Sequence, residues 1–412
     1  MSVSTARLFV RAFALLLLPA LMLGGLLMTS PAQAQRITPS FWGMHDNDWT
    51  TPPGVPVGSA NFTTAGTYWR NIEKANGVYD WARLDSQVAA AEAIGARPMI
   101  VLGSTPQFHS SRAGSADYYT AMPDVAAWRR YVGQVAARYG ARLDYQIWPE
   151  PNIVQNWTGT PRQMAKLTVV AAKAIRQAAG KRPRIVSPAV ALRLDSQQAW
   201  TMKYFKQRVG GKRVDQYLNA IAIDPFPLQT GTPELSYGIM KKITKRLAHI
   251  GVTKPIWNNE INYGVAGGGA TTTTTYPMPV QQSYVIRTYV LSAAAKMQRA
   301  YWLGWFASPQ LGINMANSQG AALPPATSYR VVRSWLNGTN FQGCSKKRGL
   351  WTCTTKAKGE VRRIYWKPSG VTVIKTPAST RRVENQDGNV DARRGAHKVA
   401  VDYRPIMVAS AK

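Results

Sequence analysis

Acidic side chains are scarce. The 412 residues include 20 Asp and Glu against 51 Lys and Arg, a formal charge of +31. Such an imbalance fits a negatively charged partner, an anionic polymer or a cell surface, and equally fits plain solubility, because the charge is spread along the chain. With the charge diffuse and no nucleic-acid-binding motif present, no nucleic-acid partner is expected. Histidines number four and cysteines two. No His or Cys falls at ligand spacing near another, so no metal is expected. No Gly-rich phosphate loop follows the first strand, which argues against a dinucleotide-binding doubly wound sheet. After residue 34 no apolar run reaches about 18 residues, so no membrane-spanning helix is expected. Repeats of solenoid period are absent.

The first 34 residues read as a secretory signal. Arg7 and Arg11 precede an uncharged apolar run, Ala12 to Met28, and Ala32-Gln33-Ala34 is a small-x-small cleavage site. The mature chain is then expected to begin at Gln35 and to be exported. In that compartment Cys344 and Cys353 are expected to form a disulfide across a small hairpin-like loop.

Strand-like and helix-like segments alternate from Arg36 to about Leu336. The short apolar runs are Ser40 to Met44, Phe62 to Tyr68, Arg97 to Leu102, Leu143 to Trp148, Arg184 to Ser187, Leu218 to Ile223, Pro255 to Trp257 and Ala300 to Phe306. Amphipathic stretches lie between them, such as Leu84 to Ile94, stopped by Gly95, and Val125 to Tyr139, started by Pro123-Asp124. Eight such alternations predict an α/β fold, a (β/α)₈ TIM barrel over residues 35–340. The tail changes character. Residues 343–412 hold 16 Lys and Arg against 5 Asp and Glu, in short strand-like runs with turn signals. A small basic β-sandwich over 341–412 is expected. The low-complexity stretch Gly264 to Tyr276 is expected to form a loop over the site.

A barrel of this kind places its chemistry at the C-terminal strand ends. Ile147-Trp148-Pro149-Glu150-Pro151-Asn152 ends the fourth strand, and the two prolines fix the backbone around Glu150. Apolar neighbours raise a carboxyl towards neutrality, as a general acid needs. Pro255-Ile256-Trp257-Asn258-Asn259-Glu260 ends the seventh strand. Two carboxyls at one barrel mouth could flank a glycosidic bond, and a separation of about 5–5.5 Å would mean retention through a covalent intermediate. The polar run after the first strand holds His45 and Asp46, which are read as sugar contacts or as an ordinary surface turn. Trp302 and Trp305 sit on the eighth strand; spaced by three, they face opposite sides, so at most one points into the barrel mouth.

These motifs resemble clan A glycoside hydrolases, and their family 39-like branch in particular. Trp148-Pro149-Glu150-Pro151-Asn152 resembles the Trp-Asn-Glu-Pro-Asn motif whose Glu is acid/base. Trp257-Asn258-Asn259-Glu260 resembles the seventh-strand Trp-x-Thr-Glu whose Glu is nucleophile. Trp69 to Glu73, Gly77 to Trp81, Val101 to Pro106, Trp157 to Thr160 and the Cys344 to Cys353 unit fit the same branch. The resemblance implies a secreted retaining glycosidase without cofactor or metal that acts on a carbohydrate; the positive charge alone suggests an acidic or cell-surface glycan, and a monomer is expected. It implies Glu150 and Glu260 as catalytic residues; Asn152, Asn259 and Tyr263 beside them are candidate substrate contacts, as are, from their places at strand ends, His45, Asp46 and one of Trp302 and Trp305. The chain departs from the family at four places. Pro149 replaces an Asn that binds the sugar, Asp224-Pro225-Phe226 replaces His-Pro-Tyr, and Asn259 replaces Thr. No Arg is evident on the second strand. Tyr263 or Asn262 could substitute for the missing Tyr. The alternative is a non-catalytic glycan-binding protein on a degenerate barrel.

Overall fold

The computed structural model describes residues 34–412 apart from 181 and 268–270. All but the last residue of the expected signal peptide lie outside the described residues. Residues 34–412 form one compact unit.

Eight parallel strands make the centre: β1 (Trp42–His45), β2 (Ser59–Asn61), β3 (Arg97–Val101), β4 (Asp144–Gln146), β5 (Arg184–Val186), β6 (Ile221–Asp224), β7 (Ile256–Ile261) and β8 (Arg299–Trp302). They pair in the order β5-β4-β3-β2-β1-β8-β7-β6. Beyond Pro188 the β5 chain resumes as a short extension, Val190–Ala191, paired with β6. A bridge between Val186 and Ala220, and a 3.0 Å bond from Ser187 N–H to the Ala220 carbonyl, close the ring. Parallel neighbours need crossovers, and among the described residues six long helices provide them: Ala82–Ala93, Val125–Tyr139, Pro161–Ala178, Asp195–Phe205, Pro233–His249 and Met278–Ala294; a seventh, Pro324–Leu336, follows β8 and leads into the tail.

Two details differ from the expected alternation. The connection between β1 and β2 forms no helix; Pro52, Pro53, Gly54, Pro56 and Gly58 break it. The second strand is Ser59–Asn61, not Phe62 to Tyr68. Its residues are small because they are buried on every side, so the apolar signal falls on the loop after it.

The side-chain period of two sorts the barrel into layers. At the bottom, buried Asp144 meets Arg97 at 3.0 Å, Arg299 at 2.8 Å and Arg184 at 3.4 Å. The Arg299 guanidinium lies 4.0 Å from the Trp257 ring centroid. Met99, Val186, Ala189, Ala220, Ala222, Trp257 and Tyr301 fill the middle. His45, Asn61, Gln146, Asp224 and Asn259 close the top, all buried. Outward neighbours such as Met44, Tyr145, Ile223 and Trp302 join the core under the helices.

The tail forms a seven-stranded antiparallel sheet, whose edge is the strand Gln35–Arg36 paired with Asn340–Phe341. A two-stranded ribbon, Thr372–Lys375 with Lys398–Val401, packs Ile374 and Val401 on Val383, Ile406 and Val408 of that sheet. Cys344 and Cys353 are cross-strand neighbours in one hairpin and are disulfide-bonded. On the other face Trp351 and Trp366 stack at 5.4 Å and join the barrel core. Trp366 Nε1 donates at 2.8 Å to Glu234, which also takes the Arg287 guanidinium. No helix among the described residues is long and apolar enough to cross a membrane.

Candidate active site

The C-terminal ends of β4, β6 and β7 meet over the polar top layer. Glu150, Asp224, Asn259 and Glu260 line one cavity of about 90 Å³ with Thr63, Tyr68, Gln146 and Asn156. A larger cavity of about 430 Å³ opens from the same two glutamates towards Arg193, Phe226 and the loop after β7.

Glu150 is held by strained, rigid backbone. Its φ is +32°, a region side-chain-bearing residues rarely adopt. Ser104, at the end of β3 beside it, has φ +73°. Next to Ser104, a Cβ on Gly103 would fall 2.6 Å from the Trp148 ring and 2.9 Å from Pro149, so only glycine admits this approach. Trp148 is fully buried, and its Nε1 donates to the Asn156 carbonyl at 2.9 Å. The loop therefore folds back beneath the carboxyl. Asn152 is spent on the scaffold. Its side-chain amide donates to the Ala191 carbonyl at 2.7 Å and accepts from the Ala191 N–H at 3.0 Å.

Glu260 faces His45 of β1. His45 Nε2 donates to the Asn259 carbonyl at 2.8 Å, which leaves Nδ1 as a bare acceptor 3.7 Å from Glu260 Oε2. Burial lowers the His45 imidazole to about 4, so it is neutral. The Asn259 amide spans Asp224 and Asn61, each at 3.4 Å.

Burial pushes the Glu150 carboxyl up to about 7, with the Arg193 cation opposing the rise. Glu260 is raised well above the ordinary range by burial and then by Glu150. Asp224 is raised likewise by burial, Glu150 and Glu260; its Oδ2 has no partner among the described residues. Three carboxyls share one partly desolvated space, so they cannot all ionise at neutral pH. Tyr68 faces them: burial and then Glu260 raise its phenol, and Glu150 adds to the rise.

The other expected contacts lie elsewhere. Tyr263 is buried with its hydroxyl 2.8 Å from Thr288, on the helix behind β7. Asn262 is consumed by Leu303 and Ile313 carbonyls at 2.9 Å each. Tyr68, from the loop after β2, is the hydroxyl near the glutamates. Trp302 is fully buried, its ring 6.2 Å from that of Tyr263. Trp305 is buried to 5% exposure beside Gly54. Asp46 is buried in the turn after β1, where its Oδ1 accepts from the Asn47 N–H at 2.7 Å and burial raises it to about 7. Among the described residues no group of three His, Cys, Asp or Glu could hold a metal ion.

Tyr68, Arg193, Gln146 and Thr63 were not singled out from sequence. Gln146 shares the inward face of β4 with Asp144, two residues before it, but parity alone does not name that face as the inner one. Tyr68 and Arg193 stand on loops, where no period marks direction.

No protein-family model matches the sequence, and no curated protein matches it. Solved structures do match. A family 39 glycoside hydrolase from the gut symbiont Bacteroides cellulosilyticus WH2 is 16% identical, covering 91% of this chain and 81% of its own, with a TM-score of 0.73. A family 39 β-xylosidase from Caulobacter crescentus is 14% identical, covering 93% and 98%, at 0.65. A family 30 endoxylanase from Clostridium papyrosolvens C71 is 12% identical, covering 93% and 98%, at 0.62. This chain thus has the fold of the family 39 and family 30 glycoside hydrolases, a TIM barrel with a C-terminal β domain.

Proposed function

We propose that the protein is an exported glycoside hydrolase that acts with retention on a poly- or oligosaccharide. The observation that carries the reading is that Glu150 and Glu260, from the ends of β4 and β7, line one cavity at the barrel mouth. The resemblance of the motifs after β4 and β7 to the acid/base and nucleophile motifs of clan A supports the roles. Glu150 gives its proton to the leaving oxygen as Glu260 attacks the anomeric carbon and the carbon–oxygen bond breaks. Water then attacks that carbon, losing its proton to Glu150, and Glu260 leaves as the carboxylate. Burial and mutual repulsion keep the carboxyls from all ionising at neutral pH; the first step requires the retained proton on Glu150 and Glu260 as the carboxylate. The unused Asn position at Pro149 leaves sugar recognition to other side chains, among which Tyr68, Gln146 and Asn156 line the cavity.

The test is a screen of aryl glycosides and polysaccharides with the wild type, Glu150→Gln and Glu260→Gln. Turnover by the wild type that both variants lose by about 10³-fold or more supports the hydrolase. Binding by all three proteins with turnover by none supports the glycan-binding alternative and overturns catalysis.

A further inference from the structure

We infer that Arg193 seats an anionic group of the substrate, a carboxylate or a sulfate ester, in the larger cavity beside Glu150. This rests on the hydrolase reading and names the class of glycan it acts on. Arg193 follows the β5 extension and is held by two separate pieces of chain. Its Nη1 donates to the carbonyls of Val265 at 3.3 Å and Ala266 at 3.0 Å, in the loop after β7. A Cβ on Gly267 would fall 2.8 Å from that Nη1, so glycine lets the loop close on the guanidinium. The Phe226 ring centroid lies 5.6 Å from its carbon. Nη2 and Nε have no protein partner among the described residues. That edge of the guanidinium presents parallel N–H donors, the geometry that recognises a carboxylate or sulfate in two-pronged fashion.

Location is the informative part. With 51 Lys and Arg against 20 Asp and Glu, most cations lack a carboxylate of their own, and on the surface this means nothing. Arg193 instead sits half-buried in a cavity of about 430 Å³, within the range of small-molecule sites, whose wall includes Glu150 and Glu260. A second arginine, Arg70, lines a separate cavity of about 60 Å³ that shares Tyr68, Pro149 and Asn156 with the glutamate cavity, its guanidinium 4.3 Å from the Tyr119 ring centroid. Each flank of the glutamate pair therefore carries one positioned guanidinium, as a polyanionic glycan threaded through the cleft would require.

Binding of an anion has a consequence for catalysis. The groups facing Glu150 are Arg193, Glu260, Asp224 and Tyr68. Of these, Arg193 alone favours the ionised form of Glu150. An anion on Arg193 offsets that cation, so the substrate itself leaves Glu150 protonated when the acid is needed.

The test uses the full chain. Binding is read by calorimetry on Glu260→Gln, alone and combined with Arg193→Gln, Arg193→Lys or Arg381→Gln, the last an exposed tail residue. The probes are uronate oligosaccharides beside their methyl esters, and sulfated oligosaccharides beside their unsulfated parents. The expected result is an advantage of about tenfold or more for the anionic member of a pair. Arg193→Gln should abolish this advantage, Arg193→Lys restore part of it, and Arg381→Gln leave it unchanged. A preference for uronates over sulfated sugars assigns the carboxylate, and the reverse assigns the sulfate ester. Equal binding of anionic and neutral partners, or equal loss of both in Arg193→Gln, overturns the inference and leaves the hydrolase standing. A panel on which no glycan of either kind binds or is cleaved overturns the hydrolase reading and this one with it.

Discussion

Replacing Glu150 by Gln should make the protein more stable at alkaline pH while removing its acid. The carboxyl is raised from 4.5 to about 7, first by burial. The folded state thus holds this proton more tightly than the unfolded state does. Below pH 4.5 the group is neutral in both states and contributes no penalty. As pH rises through about 7 the folded protein must ionise a carboxyl that its surroundings disfavour, and stability is lost. The full difference is roughly 3 kcal/mol, at about 1.4 kcal/mol per tenfold change. Water reaching the cleft reduces it to about 1–3 kcal/mol. Gln keeps the shape and never ionises, and the Glu150 carboxyl makes no side-chain hydrogen bond among the described residues that Gln would break. With an unfolding entropy of about 2 cal/mol/K per residue over roughly 380 residues, this corresponds to about 1–4 °C. Melting temperatures of wild type and Glu150→Gln, scanned from pH 4 to pH 9, check it. The curves should coincide near pH 4 and separate above pH 7 with the variant higher. A variant that melts at or below the wild type at pH 8 refutes the reasoning.

Asp224→Asn should change kcat/KM by less than about tenfold, because the carboxyl it replaces is held neutral; loss of turnover would mean that an ionised Asp224 is required. Asp144→Asn at the barrel bottom should cost about 3–5 kcal/mol in denaturant unfolding, since it leaves the buried Arg299 cation uncompensated. Reducing or replacing Cys344 and Cys353 should lower the melting temperature by a few degrees at most and leave turnover intact. The bond closes a short hairpin already paired on both strands, far along the chain from either glutamate.

What could be read from sequence was whatever burial writes into a run of residues. Apolar stretches marked seven of the eight strands, and a Glu after Trp148 and after Trp257 marked the two ends that carry the carboxyl pair. β2 was displaced because Ser59, Ala60 and Asn61 are small enough for the barrel interior, which erases the apolar signal. The helix expected between β1 and β2 is ruled out by its prolines and glycines, a local signal outweighed by the regular alternation. Trp302 shows the limit of strand parity: the spacing sorts residues onto two faces without naming the inner one. Tyr301 is inside, bonded by its hydroxyl to Arg299 at 2.9 Å, so Trp302 faces the helices. At Asp224 the sequence showed a lost His, whereas the structure shows a third carboxyl in the cleft. Tyr68 and Arg193 reach the site from separate loops, a proximity that only the closed barrel creates.

The central claim is that Glu260 attacks the anomeric carbon with Glu150 as the acid. It is tested most directly by trapping the covalent intermediate. The wild type is incubated with a panel of 2-deoxy-2-fluoro glycosyl fluorides, and intact and peptide masses are recorded. One fluorosugar should add per chain, on the peptide carrying Glu260, and no adduct should form on Glu260→Gln. An adduct on any other residue, or hydrolysis of the matching substrate with no adduct from any member of the panel, would contradict the account.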